Sequence, residues 1–464
     1  MERPIVIHDT TVVTCDDAGS VHHAAALVVE DRRIAAIGPS ADILARYPGA
    51  VRVEGRGRAV MPGFANTHTH LARTLARGIY EDLSPPHEPP FTGGLSPLPL
   101  PPLTTDQERA MVELGVLEAI RSGTTFVLEE GVGIDGYAGA LRDSGLRYVI
   151  CERAWDRKGA AIGQPGPFER DAALGETGLE RIGALHARWN GAGDGRLRVG
   201  LAGWAPDMCS PELLENLRAL QSALDTIGSI HLSQMWGEVA AVTEQRGVQP
   251  TEYLARTGFL SDRLVAAHCR CMTPEEERTL GAARVSVAFN SAIAARRGLS
   301  CHAGDLERAG CLVTVGTDNM AEDMVEATRT ALFMERVRRQ DGRRPSPEEA
   351  LTWATRNGYR ALGVPDGGWL APGNRADLIV VDLRRPHLVP ALQVVSTFVH
   401  QGQGSDVESV MVDGAWVMRD HRIVTMDESA IIAEADRVAR AAWRDLFTSR
   451  PDLLRPPTLD LAGG

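Results

Sequence analysis

The sequence predicts an α/β fold, a (β/α)8 TIM-like barrel carrying a small β-sandwich domain built from both termini. Three observations predict it. Both ends of the 464-residue chain alternate short β-like runs with turns, the middle alternates apolar strand-sized runs with helical patterns, and those middle runs number eight, as a closed parallel barrel requires. Residues 1–60 are read as the N-terminal part of the sandwich, 61–365 as the barrel, and 366–464 as the C-terminal part of the sandwich with a tail.

The N-terminal β-like runs are 4–8, 11–14, 25–30, 33–38 and 59–61, with Asp16-Asp17 and Asp31-Arg32 as turns. The first barrel strand then ends at His68 and His70. A helix is expected over 105–122, strands over 126–128, 147–151 and 197–203, a helix from Pro211, and strands over 229–232, 264–268, 285–289 and 311–317. Sheet texture returns at 377–382, 407–412 and 415–418, where Asp413-Gly414 reads as a hairpin turn. Residues 84–102 hold Pro85, Pro86, Pro89, Pro90, Pro97, Pro99, Pro101 and Pro102, too constrained for helix or central strand. This segment reads as a loop over the barrel mouth or as a plain surface excursion.

Composition narrows the function. With 44% hydrophobic and 24% charged residues the chain can bury a large core. Its 49 basic and 61 acidic residues leave a formal charge of -12, which repels phosphate backbones and anionic lipid, so neither nucleic acid nor membrane is an expected partner. The N-terminus lacks a basic segment followed by an apolar run, and no membrane-length apolar stretch occurs, so a cytoplasmic protein is expected. Cys15, Cys151, Cys209, Cys269, Cys271, Cys301 and Cys311 are odd in number and thinly spread, which fits buried reduced thiols; Cys269-Arg270-Cys271 lacks the second pair a metal site would need.

The chemistry is concentrated at strand ends. His68 and His70 stand at i and i+2 in Pro62-Gly63-Phe64-Ala65-Asn66-Thr67-His68-Thr69-His70, and side chains two apart on a strand point the same way. Both imidazoles can therefore hold one ion, where the plainer reading is two surface histidines. His231 follows the apolar run 227–230 and His268 ends 264–268; each alone reads as a hydrogen-bonded core histidine. Asp318 closes Val313-Thr314-Val315-Gly316-Thr317-Asp318, a run too apolar for an unpartnered carboxylate; a cation supplies the partner, or the residue caps a helix from Met320.

Together these motifs resemble the amidohydrolase superfamily, in the branch of cytosine-deaminase-like enzymes and triazine hydrolases. Pro-Gly-Phe-Ala-Asn-Thr-His-Thr-His-Leu at 62–71 is close to that branch's first-strand motif and Val-Gly-Thr-Asp-Asn at 315–319 to its last. Gly123-Thr124-Thr125, Ala205-Pro206, Ala267-His268-Cys269 and Asn374-Arg375-Ala376-Asp377 fall in the matching order. The resemblance implies that His68, His70, His231 and Asp318 bind one divalent metal ion, zinc first, with iron or cobalt as substitutes. It implies that an ion so held brings the pKa of its water from about 15.7 toward 7, that Asp318 accepts the proton, and that the hydroxide attacks an sp² carbon while His268 contacts the water or the substrate. It also implies a homo-oligomer acting on a small molecule.

One position departs from that pattern. Aminohydrolases of the branch carry a glutamate three residues after the third histidine; here that residue is Gln234, which can hold a substrate but cannot carry a proton. Glu238, one helical turn on, is either its replacement or a structural group. The change favours ureas, carbamates or amides as substrates; deamination or dechlorination of an N-heterocycle such as a triazine, pterin or purine is the second reading, and an inactive scaffold the third. Trp155, Trp204, Met235 and Trp236 are candidate pocket walls, and Arg153 and Arg296 are placed like them at strand ends.

Overall fold

The computed structural model describes residues 3–80, 98–159, 161–456 and 458–461. The proline-rich segment expected as a loop lies outside the described residues from Ser84 to Pro97.

Eight parallel strands form the barrel: β1 Phe64–Thr69, β2 Thr124–Gly131, β3 Arg147–Ala154, β4 Leu197–Gly203, β5 Gly228–Leu232, β6 Leu264–His268, β7 Ser286–Phe289 and β8 Leu312–Val315. Each pairs with the next in sequence. The ring closes where Thr69 bridges to Asp318, and just below, Thr67 Oγ1 lies 2.8 Å from Thr314 Oγ1 and donates to the Val315 carbonyl at 2.9 Å. Helices between the strands cover the outside, so both faces of the strands are buried; all eight residues of β3 are buried, its charged Arg147, Glu152 and Arg153 included. The helices start where the sequence caps them. Thr104 and Gln107 form a capping box for Thr105–Arg121, and Ser210 caps Pro211–Ala223 with proline at its first position.

The two termini share one sheet of nine strands. The N-terminal share is Ile5–Val13, Val21–Glu30, Arg33–Pro39, Val51–Glu54 and Arg58–Pro62; the C-terminal share is Leu378–Asp382, Val407–Val412, Ala415–Arg419 and Arg422–Ile423. They join where Leu378–Asp382 runs antiparallel to Arg58–Pro62, with Val380 opposite Val60. Ile7, Leu27, Val60, Leu378 and Met411 form a core on one face, while Ile43 of the short helix Ser40–Arg46 packs on the other with Val6 and Val28. The turns at Asp31-Arg32 and Asp413-Gly414 take left-handed φ values of 47° and 70°, and 47° and 76°, as the sequence suggested. The runs 4–8 and 11–14 form one strand whose register shifts between Ile7 and Val12, and the Ser40–Arg46 helix and the Val51–Glu54 strand were not expected.

Only Gly63 separates the terminal sheet from β1. A Cβ at that position would sit 2.1 Å from Thr125 Cγ2, so the handover requires glycine. Lower in the barrel, Arg147 ties the two parts together. Its guanidinium is 2% exposed and donates to Asp377 Oδ2 at 3.0 Å and Asp413 Oδ1 at 2.6 Å, and Tyr359 donates to Asp377 at 2.8 Å. Arg147→Met leaves two buried carboxylates short of their cation and is expected to cost about 3–5 kcal/mol. Urea denaturation measures it; an unchanged midpoint would remove Arg147 as the tie.

The C-terminal helix Glu428–Ser449 packs on the barrel helix Thr105–Arg121 through Ala435, Val438, Ala442 and Trp443, with Met111 facing them. Trp443 Nε1 donates to the Leu75 carbonyl at 2.7 Å, which fixes this helix beside the barrel mouth. Among the described residues no helix is long and apolar enough to cross a membrane.

Candidate metal centre

The C-terminal mouth of the barrel gathers the expected residues. His68 and His70 end β1, His231 lies near the end of β5, His268 closes β6, and Asp318 follows β8 on the seam with β1. His68, His231, His268 and Asp318 are buried, and His70 is nearly so. One candidate ligand atom each from His68, His231 and His268 lie within 4.8 Å of one another, and so do atoms of His68, His70 and Asp318.

Hydrogen bonds fix which nitrogens face inward. His70 Nδ1 lies 2.6 Å from the Glu130 carbonyl and His231 Nδ1 lies 2.9 Å from the Trp204 carbonyl. A carbonyl only accepts, so both Nδ1 atoms carry the proton and both Nε2 atoms present lone pairs. Those Nε2 atoms are 3.2 Å apart. Two facing lone pairs at that distance repel unless a cation lies between them, and bonds of about 2.0–2.1 Å to a tetrahedral ion place two nitrogens about 3.3 Å apart. Among the described residues, both ring nitrogens of buried His68 lack a hydrogen-bond partner. Burial pushes His68 down to about 3 and holds His70 well below the usual imidazole range, so both rings are neutral donors. The donor set fits a divalent cation.

His268 is bonded differently. Its Nδ1 receives Arg270 Nη2 at 2.9 Å and Asn290 Nδ2 at 3.1 Å, while its Nε2 faces Asp318 Oδ2 at 3.9 Å. Asp318 Oδ1 is 3.8 Å from His70 Nε2, and burial raises its carboxyl pKa. His268 and Asp318 both hold left-handed backbone, with φ 79° and 70°, as do Ser233, Cys269 and Met320 around them. Such strain is concentrated where side chains must be aimed.

Sequence reasoning missed Glu130, which β2 places beneath the histidines. Its carboxylate lies 3.3 Å from His231 Nδ1 and accepts from Arg153 Nε at 3.0 Å and Ser229 Oγ at 2.8 Å. Burial opposes its charge, yet His231 and Arg153 hold it well below the usual carboxylate range. Glu129-Glu130 closing an apolar strand was the available signal, the same one that marked Asp318. Glu322 is a second such group. Its Oε2 accepts from Thr317 at 2.7 Å, Thr69 at 2.8 Å and Asn66 at 3.2 Å across the barrel seam, and burial pushes its pKa up to about 8.

Gln234 sits on the bend after β5, 4% exposed, and its Nε2 has no partner among the described residues. Glu238 is spent on structure: its two oxygens accept the Ser233 and Gln234 backbone N–H groups at 2.7 and 2.9 Å. Trp155 and Trp204 meet edge to face at 5.3 Å, and Arg153 lies over Trp204. Arg296 pairs with Glu326 instead of joining the cluster. All seven cysteines are free and buried. Beside His70 a cleft of about 230 Å³ is lined by Arg73, Leu100, Glu108, Val132, Tyr137 and Arg153.

Gly316 allows these groups to meet. A Cβ there would lie 2.3 Å from Asn290 Oδ1 and 3.0 Å from the His68 carbonyl. Gly316→Ala is expected to destabilise the protein by about 1–3 kcal/mol and to lower its metal content. Thermal melting and metal analysis check this; wild-type values in both would show that the contact is soft.

A closed parallel barrel with imidazoles and a carboxylate converging at its C-terminal mouth defines the class of barrel hydrolases built around a metal ion. The chain matches the amidohydrolase family over residues 59–417, and it belongs to that family; residues 25–50 also match the bacterial imidazolonepropionase-like composite domain. It is a hydrolase of carbon–nitrogen bonds other than peptide bonds. It is 34% identical over 432 residues to the 5'-deoxyadenosine deaminase of Methanothermobacter thermautotrophicus, covering 91% of this chain and 96% of that protein. It is 31% identical over 444 residues to the 5-methylthioadenosine/S-adenosylhomocysteine deaminase of Moorella thermoacetica, covering 93% and 98%. Among solved structures, an adenosine deaminase from Xanthomonas campestris with bound zinc superposes with a TM-score of 0.81 at 27% identity, over 96% of this chain and 98% of that one. Atrazine chlorohydrolase from Arthrobacter aurescens TC1 shares the fold, with a TM-score of 0.80 at 22% identity over 94% and 100% of the two chains.

Proposed function

We propose that the protein is a metal-dependent aminohydrolase that releases ammonia from the exocyclic amine of an adenine-type nucleoside. The observation that carries this reading is end-to-end similarity to deaminases of 5'-deoxyadenosine and methylthioadenosine, in a chain whose donor cluster is complete. These relatives favour the N-heterocycle reading over the urea and carbamate reading that Gln234 suggested.

His68, His70, His231 and Asp318 would hold one divalent ion, with zinc favoured by three imidazoles and a carboxylate. When bound, the ion supplies Lewis acidity that brings a water's pKa toward about 7. Asp318 is the base: its carboxyl lies between His70 and His268, and its raised pKa suits it to take a proton from water and return it to the departing amine. His268 steadies the oxygen that gains charge. Gln234 donates its free Nε2–H to a ring nitrogen that accepts, holding the base without protonating it. Glu130 keeps His231 aligned from below.

The test is ammonia release by zinc-loaded protein from 5'-deoxyadenosine, 5'-methylthioadenosine and adenosine, beside a triazine, a phenylurea and a carbamate. Turnover of the nucleosides supports the proposal. Turnover confined to the urea or carbamate would overturn it and restore the reading drawn from Gln234.

A further inference from the structure

We propose that Arg270, together with Asn290, fixes the tautomer of His268 and so keeps it a hydrogen-bond donor instead of a further imidazole ligand. The inference rests on the histidine cluster being the hydrolytic centre, and on nothing about which substrate it takes.

Arg270 arrives there by an unusual path. His268 and Cys269 hold φ of 79° and 48°, and the N–H groups of Arg270 and Cys271 then bond to the Ser233 carbonyl at 3.1 and 2.9 Å. The chain turns back on itself, which returns the side chain at 270 to the ring two residues earlier. Arg270 is 8% exposed, the Asp318 charge favours its ionised form without a direct ion pair, and among the described residues no carboxylate bonds to it and its Nε has no hydrogen-bond partner. A buried cation with so little compensation is costly, so a role in the site, rather than in stability, explains it best.

The bond it makes is decisive because a guanidinium can only donate. With Arg270 Nη2 at 2.9 Å and Asn290 Nδ2 at 3.1 Å, His268 Nδ1 must be the acceptor, and the neutral ring carries its hydrogen on Nε2. That N–H points toward Asp318 Oδ2 at 3.9 Å. In the other tautomer, Nε2 would offer a lone pair on the side of Asp318, and one ring nitrogen of His268 lies within 4.8 Å of a ligand atom each of His68 and His231, so a three-histidine set could form. Arg270 is therefore a positioning residue. It decides between two possible ligand sets and leaves His268 a donor for the oxygen that gains negative charge.

The test uses protein labelled with ¹⁵N in histidine alone, metal-free and zinc-loaded, with His268→Gln to assign the resonance. Two-bond nitrogen–proton spectra show which ring nitrogen carries hydrogen, with no substrate present, so an error in the substrate proposal leaves the result intact. The wild type is expected to show Nε2–H at His268, and Arg270→Lys, which can still only donate, to keep it. Arg270→Met fills the space without a donor and leaves the Asn290 amide, whose Oδ1 has no partner among the described residues, to turn and accept from an Nδ1–H instead. It is expected to lose the Nε2–H form, to alter the visible spectrum of the cobalt-substituted protein, and to lower kcat about 10- to 100-fold with little change in KM. An Nδ1–H wild type overturns the proposal, as does an Arg270→Met variant that retains Nε2–H. Should Arg270→Met fail to fold, the wild-type and Arg270→Lys spectra still decide.

Discussion

Asp318→Asn is expected to lower kcat by about 10³- to 10⁴-fold while leaving the fold intact. The side chain is buried, its oxygens reach toward His70 and His268, and in the proposed mechanism its carboxyl takes and returns the proton. Asparagine has nearly the same shape and tolerates the left-handed backbone that residue 318 holds at φ 70°, so the exchange adds no strain. It removes the charge and the ability to carry a proton. Removing a buried carboxylate also relieves a desolvation penalty, so the metal-free variant should melt no lower than the wild type. Steady-state kinetics with melting curves check both halves. A variant that keeps kcat within tenfold would move the proton transfer to another group.

Gln234→Glu is expected to raise the rate of nucleoside deamination by about 10²-fold. The bend that carries residue 234 is fixed by Glu238, whose carboxylate holds the Ser233 and Gln234 backbone N–H groups, so the new side chain starts from the same place. An amide there can only hold a ring nitrogen; a carboxylic acid can protonate it as the tetrahedral carbon forms. Burial raises that acid's pKa toward the working range. The same change should slow hydrolysis of a carbamate or urea, which needs no ring protonation. Comparing kcat/KM of the two proteins on both substrate classes measures it; a loss on nucleosides would show that the amide itself is needed.

Much of this was legible in the sequence for a physical reason. His68, His70, His231, His268 and Asp318 each end an apolar run, and a buried strand in a parallel barrel delivers its last residues to one face, so five residues far apart in sequence could be assigned to one mouth. What stayed hidden depended on partners. Glu130 and Glu322 are legible as buried acids but not as the groups that orient His231 and close the seam, because those contacts run between strands. Arg270 lay in a motif considered for its cysteines, and its role follows from a left-handed turn that spacing does not reveal. Glu238 shows the converse: its spacing allowed a proton carrier, and its hydrogen bonds make it a brace. The substrate was least legible, since one amide at position 234 pointed one way and the remaining length of the chain another.

Metal content read against the inward-facing histidines is the most direct measurement. Protein dialysed against zinc and then freed of loose ions is expected to hold one ion per chain, and His70→Gln/His231→Gln, which removes the two nitrogens that face each other at 3.2 Å, to hold none while remaining folded. A wild type that takes up no metal, or a folded double variant that binds as much as the wild type, would contradict the assignment of this cluster as the catalytic centre.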